Sequence, residues 1–186
     1  MTKRGLLLKD FKIVNVVAST KIDRTIDIEL LSTRLKQAEY NPEIWCGLIW
    51  RRSNPKSTII MFSTGKVSSV GTRSEKDAKI AIRKAVQAIP ELSNARYNEP
   101  VIANLVATAD VGLQKKLDFD LLSSKIKPST YEPDQFPAML YRSKHGTFLI
   151  FSSGKISLVG AKSEQQAKKD MRNLISRIRS LSKKGS

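Results

Sequence analysis

One cysteine, Cys46, and one histidine, His145, occur in 186 residues. A single cysteine forbids an internal disulfide and any cysteine-rich metal site. With one histidine, set in the turn Ser143-Lys144-His145-Gly146, neither a zinc set nor a Ser-His-Asp or Cys-His site can be assembled. The acidic residues are few and form no metal-like cluster, so no cofactor is expected. Long apolar runs are missing too. None approaches the ~18 residues needed to cross a membrane, and Leu6-Leu7-Leu8 is too short for a signal-peptide core. The composition reads as a soluble intracellular protein without catalysis.

What is plentiful is positive charge. Lys+Arg 33 against Asp+Glu 17 gives a net charge of +16. The basic residues are spread along the chain, which rules out one polybasic tail. An excess of this size points to a polyanion, most often nucleic acid and less often an anionic membrane, with plain solubility as the bland alternative. The 40% hydrophobic content is enough to bury a core.

The chain also repeats itself. Ile13-Val14-Asn15-Val16-Val17-Ala18 returns as Ile102-Ala103-Asn104-Leu105-Val106-Ala107. Phe62-Ser63-Thr64-Gly65-Lys66 returns as Phe151-Ser152-Ser153-Gly154-Lys155. Asn15 and Asn104, Gly65 and Gly154, and Ser74 and Ser163 are each 89 apart. A period near half the chain means two copies of one unit. Residues 1–10 then form a basic extension, 11–98 the first repeat, 99–181 the second and 182–186 a basic tail. Between Asp27 and Arg51 the offset is 91, so the second copy gains two residues before its first helix and loses two in its central hairpin. Loops tolerate such changes.

Each copy reads as strand, helix, three strands, long helix. In the first copy these are a strand over 11–22, a helix from Asp27 to Gln37, and strands Trp45–Arg52, Ser57–Phe62 and Lys66–Gly71. Tyr40-Asn41-Pro42 reads as a breaker, and Ser74 opens a helix with the apolar stripe Ala78, Ile82, Ala85, Val86 and Ile89. In the second copy, strands are expected over 101–109 and near 136–142, 147–152 and 155–160, with helices from Asp118 and from Ser163 to about Arg179. Ile59-Ile60-Met61-Phe62 and Phe148-Leu149-Ile150-Phe151 are apolar on both faces, whereas a half-solvated strand alternates. Two helices per copy cover one face, which leaves an apolar face in need of a partner. Trp45 with Phe62, and Phe136 with Phe151, stand equidistant from their turn centres and are expected as cross-strand neighbours. From this pattern alone, each pair reads equally well as core or as a binding edge.

These residues together resemble the TATA-box-binding protein family of general transcription initiation factors. The resemblance rests on the segments above and on Ala38-Glu39-Tyr40-Asn41-Pro42, Tyr131-Glu132-Pro133-Asp134-Gln135-Phe136-Pro137 and Gly160-Ala161-Lys162-Ser163-Glu164, and covers about 11–178. The segment from Tyr131 and the lack of a long leader are similar to archaeal members. The resemblance implies an α+β saddle: two pseudo-symmetric repeats forming a curved ten-stranded antiparallel sheet, helices on the convex face. The concave face would lie on the minor groove of promoter DNA, kinked by inserted apolar wedges, which is general for this family.

Carried over by position, the wedges are Trp45, where the family usually has Phe, with Phe62, and Phe136 with Phe151. Asn15 and Asn104 match central asparagines whose amides can donate to A·T acceptors. Val17, Val106, Ile60 and Leu149 match apolar groove contacts, and Pro137 lies beside one wedge. Arg51, Arg142, Lys66, Lys155, Arg73 and Lys162 match phosphate-facing positions, for which a solvated basic surface is the alternative. Val70 and Val159 stand where the family usually has Thr, on the face of Ser68 and Ser157 and opposite Val67 and Ile156. Glu132, Asp134 and Gln135 match the loop that meets a transcription-factor-B-type protein, and the RNA polymerase pre-initiation complex is the larger partner. Archaeal origin implies a cytoplasmic, nucleoid-associated protein, and eukaryotic origin a nuclear one. The rival readings are a paralogue acting as an adaptor or RNA-binding module, and, more remotely, an enzyme.

Overall fold

The computed structural model describes residues 8, 10–113 and 115–182. The expected basic segments 1–10 and 182–186 lie almost wholly outside the described residues. One order of elements runs twice. The first pass is β1 (Lys12–Lys21), α1 (Ile28–Arg34), β2 (Ala38–Asn41), β3 (Trp45–Ser53), β4 (Lys56–Phe62), β5 (Lys66–Thr72) and α2 (Glu75–Gln87). The second is β6 (Val101–Asp110), α3 (Phe119–Lys125), β7 (Ser129–Thr130), β8 (Ala138–Ser143), β9 (Gly146–Phe151), β10 (Lys155–Ala161) and α4 (Glu164–Ser182). The ten strands make an antiparallel sheet, ordered β2-β3-β4-β5-β1 in one half and β6-β10-β9-β8-β7 in the other. This is the α+β class expected from the sequence. By compactness the chain divides into a unit Val14–Asn104 and a unit built on the residues from Leu105 onward.

Local chemistry sets the helix ends. The Asp27 carboxylate accepts from Leu30 N at 3.0 Å, and Asp118 accepts from Leu121 N at 3.0 Å, so both short helices start on an aspartate cap. Ser74 caps α2 by accepting from Asp77 N at 3.0 Å. Helix α1 stops at Arg34, short of the expected Gln37, because Leu35 is already extended at φ −88, ψ 121, and Gln37 then takes φ +62 in the left-handed region. The chain then leaves as β2, so the Tyr40-Asn41-Pro42 segment, read as a breaker, begins inside an edge strand.

In the first unit the core joins one face of the strands to α2. Val16, Ala18, Leu48, Ile59, Met61 and Val67 are fully buried, as are Ala78, Ile82 and Ala85, with Val86 and Ile89 at 1%. In the second, Leu105, Ala107, Met139, Ile150, Ile156 and Leu158 do the same with Ala167, Met171, Leu174, Ile175 and Ile178. Each large apolar side chain contributes about 1.5–3 kcal/mol when removed from water. These residues occupy alternate strand positions, and the positions between them make the other face.

Candidate nucleic-acid interface

In each unit the positions between the buried ones carry partly exposed apolar side chains. In β4, Ile59 and Met61 are buried while Thr58, Ile60 and Phe62 are partly exposed. In β9, Phe148 and Ile150 are buried while Thr147, Leu149 and Phe151 are partly exposed. Strand pairing lines these up in rows. Ile49, Ile60 and Ser68 form one row and Arg51, Thr58 and Val70 the next. Leu140, Leu149 and Ser157 form the matching row in the second unit, followed by Arg142, Thr147 and Val159. Val17 and Val106 stand partly exposed between buried neighbours on the innermost strands. Val67 and Ile156 point into the core at 0% exposure, and Val70 and Val159 face the open side.

The asparagines sit where the ladder is irregular. Val16 pairs with Thr72 but Ala18 pairs with Ser69, so β5 carries one extra residue there. The second unit has the same irregularity, with Val106 opposite Val159 and Leu105 opposite Ala161. The extra turn of chain is possible at Gly71 and Gly160 because their φ values, +90 and +95, suit glycine. At the first bulge the freed Gly71 N–H donates to Asn15 Oδ1 at 2.9 Å. That bond orients the amide through one lone pair of its oxygen and leaves the two Nδ2 hydrogens for a ligand. Asn104 is also engaged within the protein.

The aromatic pairs exist, in a different register from the one expected. Phe62 stands opposite Gly47 and Phe151 opposite Ala138, while Trp45 pairs with Asn41. Both hairpins turn one residue later than the symmetric estimate, at Asn54-Pro55 and Lys144-His145, which moves every partner by two. The first hairpin is one residue pair longer than the second, consistent with the two-residue change in offset. The rings therefore meet on the diagonal. Trp45 and Phe62 have centroids 5.5 Å apart at 78°, and Phe136 and Phe151 are 6.3 Å apart at 60°. Trp45 and Phe136 remain 39% and 41% exposed, which argues against two ordinary core pairs. Phe136 precedes β8 in a turn where Gln135 N and Phe136 N both donate to the Glu132 carbonyl at 3.0 Å.

Charge distinguishes the two units. Arg51 is tied to Glu39, whereas Arg142 has no salt bridge among the described residues. Thr130 takes the place of Glu39 in the second unit. Lys66, Lys155, Arg73 and Lys162 are all exposed, and Lys66 Nζ stands 5.9 Å from the Phe62 ring centroid. Ser68 lies on the open face but is only 8% exposed, so its strand neighbours cover most of it. Glu132, Asp134, Gln135 and Pro137 are exposed. A groove of about 500 Å³ beside Phe151 and Lys155, and another of about 470 Å³ beside Trp45, mark the two aromatic ends.

Sequence reasoning passed over Ile49, Leu140, Thr58, Thr147 and Glu39, although alternation along Ile49 and Arg51 signals the first. It also passed over Gly47. A Cβ there would lie 2.8 Å from Trp45 Cζ3 and 2.9 Å from Cη2. His145 lies in a turn as expected, with Nδ1 2.9 Å from Asp170 Oδ2. Among the described residues no group of His, Cys, Asp and Glu could hold a metal, and no helix is long and apolar enough to cross a membrane.

Comparison with known proteins gives one consistent result. The family model described as transcription factor TFIID, or TATA-binding protein, matches twice, over residues 10–92 and 99–181. The TATA-box-binding protein of Methanocaldococcus jannaschii is 39% identical over 174 residues, covering 91% of this chain and 94% of its own. That of Archaeoglobus fulgidus is 36% identical over 174 residues, covering 91% and 95%. The solved structure of the Methanococcus jannaschii TBP superposes with a TM-score of 0.76 at 38% identity, covering 91% of this chain and 98% of that one.

Proposed function

The chain belongs to the TATA-binding protein family, and on that premise we propose that it is a transcription initiation factor that binds the minor groove of TATA-type promoter DNA. The family is one of DNA-binding transcription factors and not of enzymes. The observation that carries the reading is the doubled open face: apolar rows, an exposed aromatic pair at one end and a central asparagine. Apolar rows match the sugar edges and floor of a widened groove. Asn15, its amide oriented by the bond its oxygen accepts from Gly71 N–H, has its Nδ2 hydrogens left to donate. A·T pairs present only acceptors in the minor groove, which suit those hydrogens, whereas the guanine N2 amine adds a donor that would face them and a bulk that the flat face would not clear.

The wedges Trp45, Phe62, Phe136 and Phe151 would enter base steps at the two ends. The resulting kink is a general property of the family and is not read from this geometry. Lys66, Lys155, Arg73, Lys162 and Arg142 would neutralise phosphates, supplying affinity without sequence information. Arg51 shares its charge with Glu39, so it contributes less in that form.

The exposed turn Glu132–Gln135 would recruit the transcription-factor-B-type protein, and through it RNA polymerase. Carboxylates beside a phosphate-binding face suit a basic protein partner. Reversing Glu132 to Lys should spare DNA binding and abolish that recruitment; undiminished recruitment would remove the turn from the partner surface. Gel shifts with TATA-containing, scrambled and single-stranded oligonucleotides test the main reading. Tight binding to the TATA duplex alone, falling steeply with salt by counterion release, is expected. Equal binding to all three, or a flat salt response, would overturn it in favour of an adaptor or single-strand module.

A further inference from the structure

The two long helices carry the same pair of cations, but among the described residues only one pair is occupied. On α2, Lys79 and Arg83 lie one turn apart, and Glu99 closes on both. Its Oε1 is 3.5 Å from Lys79 Nζ, and its Oε2 is paired with Arg83. At the repeat offset of 89, the α4 equivalents are Lys168 and Arg172. The faces correspond, because the buried residues Ala78, Ile82 and Val86 on α2 match the buried Ala167, Met171 and Ile175 on α4. Lys168 and Arg172 are exposed and have no hydrogen bond or ion pair among the described residues. Glu164 stands on α4 where Glu75 stands on α2, so it does not separate the two cases. Asp170, the other acid of α4, is engaged with His145 and with Gln166 Nε2, at 2.9 and 2.8 Å.

We propose that Lys168 and Arg172 form a carboxylate clamp on α4 that binds an acidic side chain of a partner polypeptide. Glu99 is the internal template for that ligand. It shows that such a pair takes one carboxylate, its oxygens divided between an ammonium and a guanidinium, presented by a segment running outside the helix. Two cationic side chains one helical turn apart, with Cβ atoms about 5–6 Å apart, can converge on one carboxylate. They do not make the long row that tracks a nucleic-acid backbone. The clamp uses none of the residues assigned to DNA, so it stands or falls separately.

The test titrates the full isotope-labelled chain with a ten-residue glutamate peptide at low salt, reading residue-resolved NMR shifts. Saturable shifts at residues 168–172 are expected, with none at 79–83, where Glu99 already sits. Replacing Lys168 and Arg172 with Ala should remove the α4 shifts and weaken binding there at least about threefold, the scale of exposed ion pairs. Glu99→Gln should open the first clamp and add a second set of shifts on α2. Three outcomes would overturn the proposal: an unmoved α4, a Glu99→Gln variant with no new site, or duplex DNA shifting residues 168–172 as strongly as the peptide.

Discussion

Gly47→Ala should disable one wedge without touching a wedge residue. The new Cβ would lie 2.8 Å from Trp45 Cζ3, 2.9 Å from Cη2 and 3.2 Å from Phe62 Cε1. Real carbon contacts begin near 3.5 Å, so the indole must swing off its seat. Trp45 is already 39% exposed, so the ring has somewhere to go and the fold should survive. What is lost in the free protein is the edge-on pair with Phe62, worth about 0.5–1.5 kcal/mol beyond buried area. On DNA the displaced ring should forfeit its stacking, about 1–3 kcal/mol by comparison with other base–aromatic contacts, or roughly 5- to 150-fold in affinity. The chain supplies its own reporter. Trp50 is 7% exposed with its indole N–H on the Lys36 carbonyl at 3.0 Å, so any change in tryptophan emission on binding belongs to Trp45. The assay is a double-mutant cycle of Gly47→Ala with Trp45→Ala, read by fluorescence and by affinity for a TATA duplex. If the clash is the cause, Gly47→Ala should cost little once Trp45 is absent. A Trp45→Phe change should rescue Gly47→Ala, since the second unit already combines Phe136 with Ala138. Fully additive costs, or unchanged Trp45 emission in Gly47→Ala, would refute the reasoning.

Ile82→Ala removes a fully buried side chain between α2 and the sheet. It should destabilise the protein by about 2–5 kcal/mol in denaturant unfolding, with the affinity of the remaining folded molecules unchanged. The Glu99 carboxyl is held below the ordinary range by its hydrogen bond to Arg83, and that of Glu91 by its own backbone N–H and then Arg34. A depressed carboxyl stabilises above the unfolded-state value, and that contribution is lost as pH falls through the folded one. Thermal unfolding should therefore show an acid limb that is shallower in Glu99→Gln, and a limb of equal slope would discount the pair. The Val70→Thr, Val159→Thr double variant adds a hydroxyl to each inner row of the open face. A binding selection randomised at the central steps should sharpen among A·T-rich sites, with rejection of G·C unchanged; identical selections would make the two valines neutral.

The sequence by itself determined whatever depends on composition and period. The 89-residue echo required two copies of one unit, and the apolar runs Ile59–Phe62 and Phe148–Phe151 required strands apolar on both faces, one of them in need of a partner. Asp27, Ser74 and Asp118 announced their helices because caps act within a few residues. The bulges at Gly71 and Gly160 came only with the structure, because a left-handed φ open to glycine does not by itself say where a ladder slips. Only tertiary structure decided the register. The place where a hairpin turns depends on turn geometry, and a turn one residue later moved Trp45 off Phe62 and put Gly47 there. The strands β2 and β7, of four and two residues, are too short to carry a period and exist by pairing with β3 and β8. The orientation of the Asn15 amide required an N–H from a residue 56 positions away. The occupied clamp on α2 required Glu99 to return to its helix, an ion pair that no local rule could have placed.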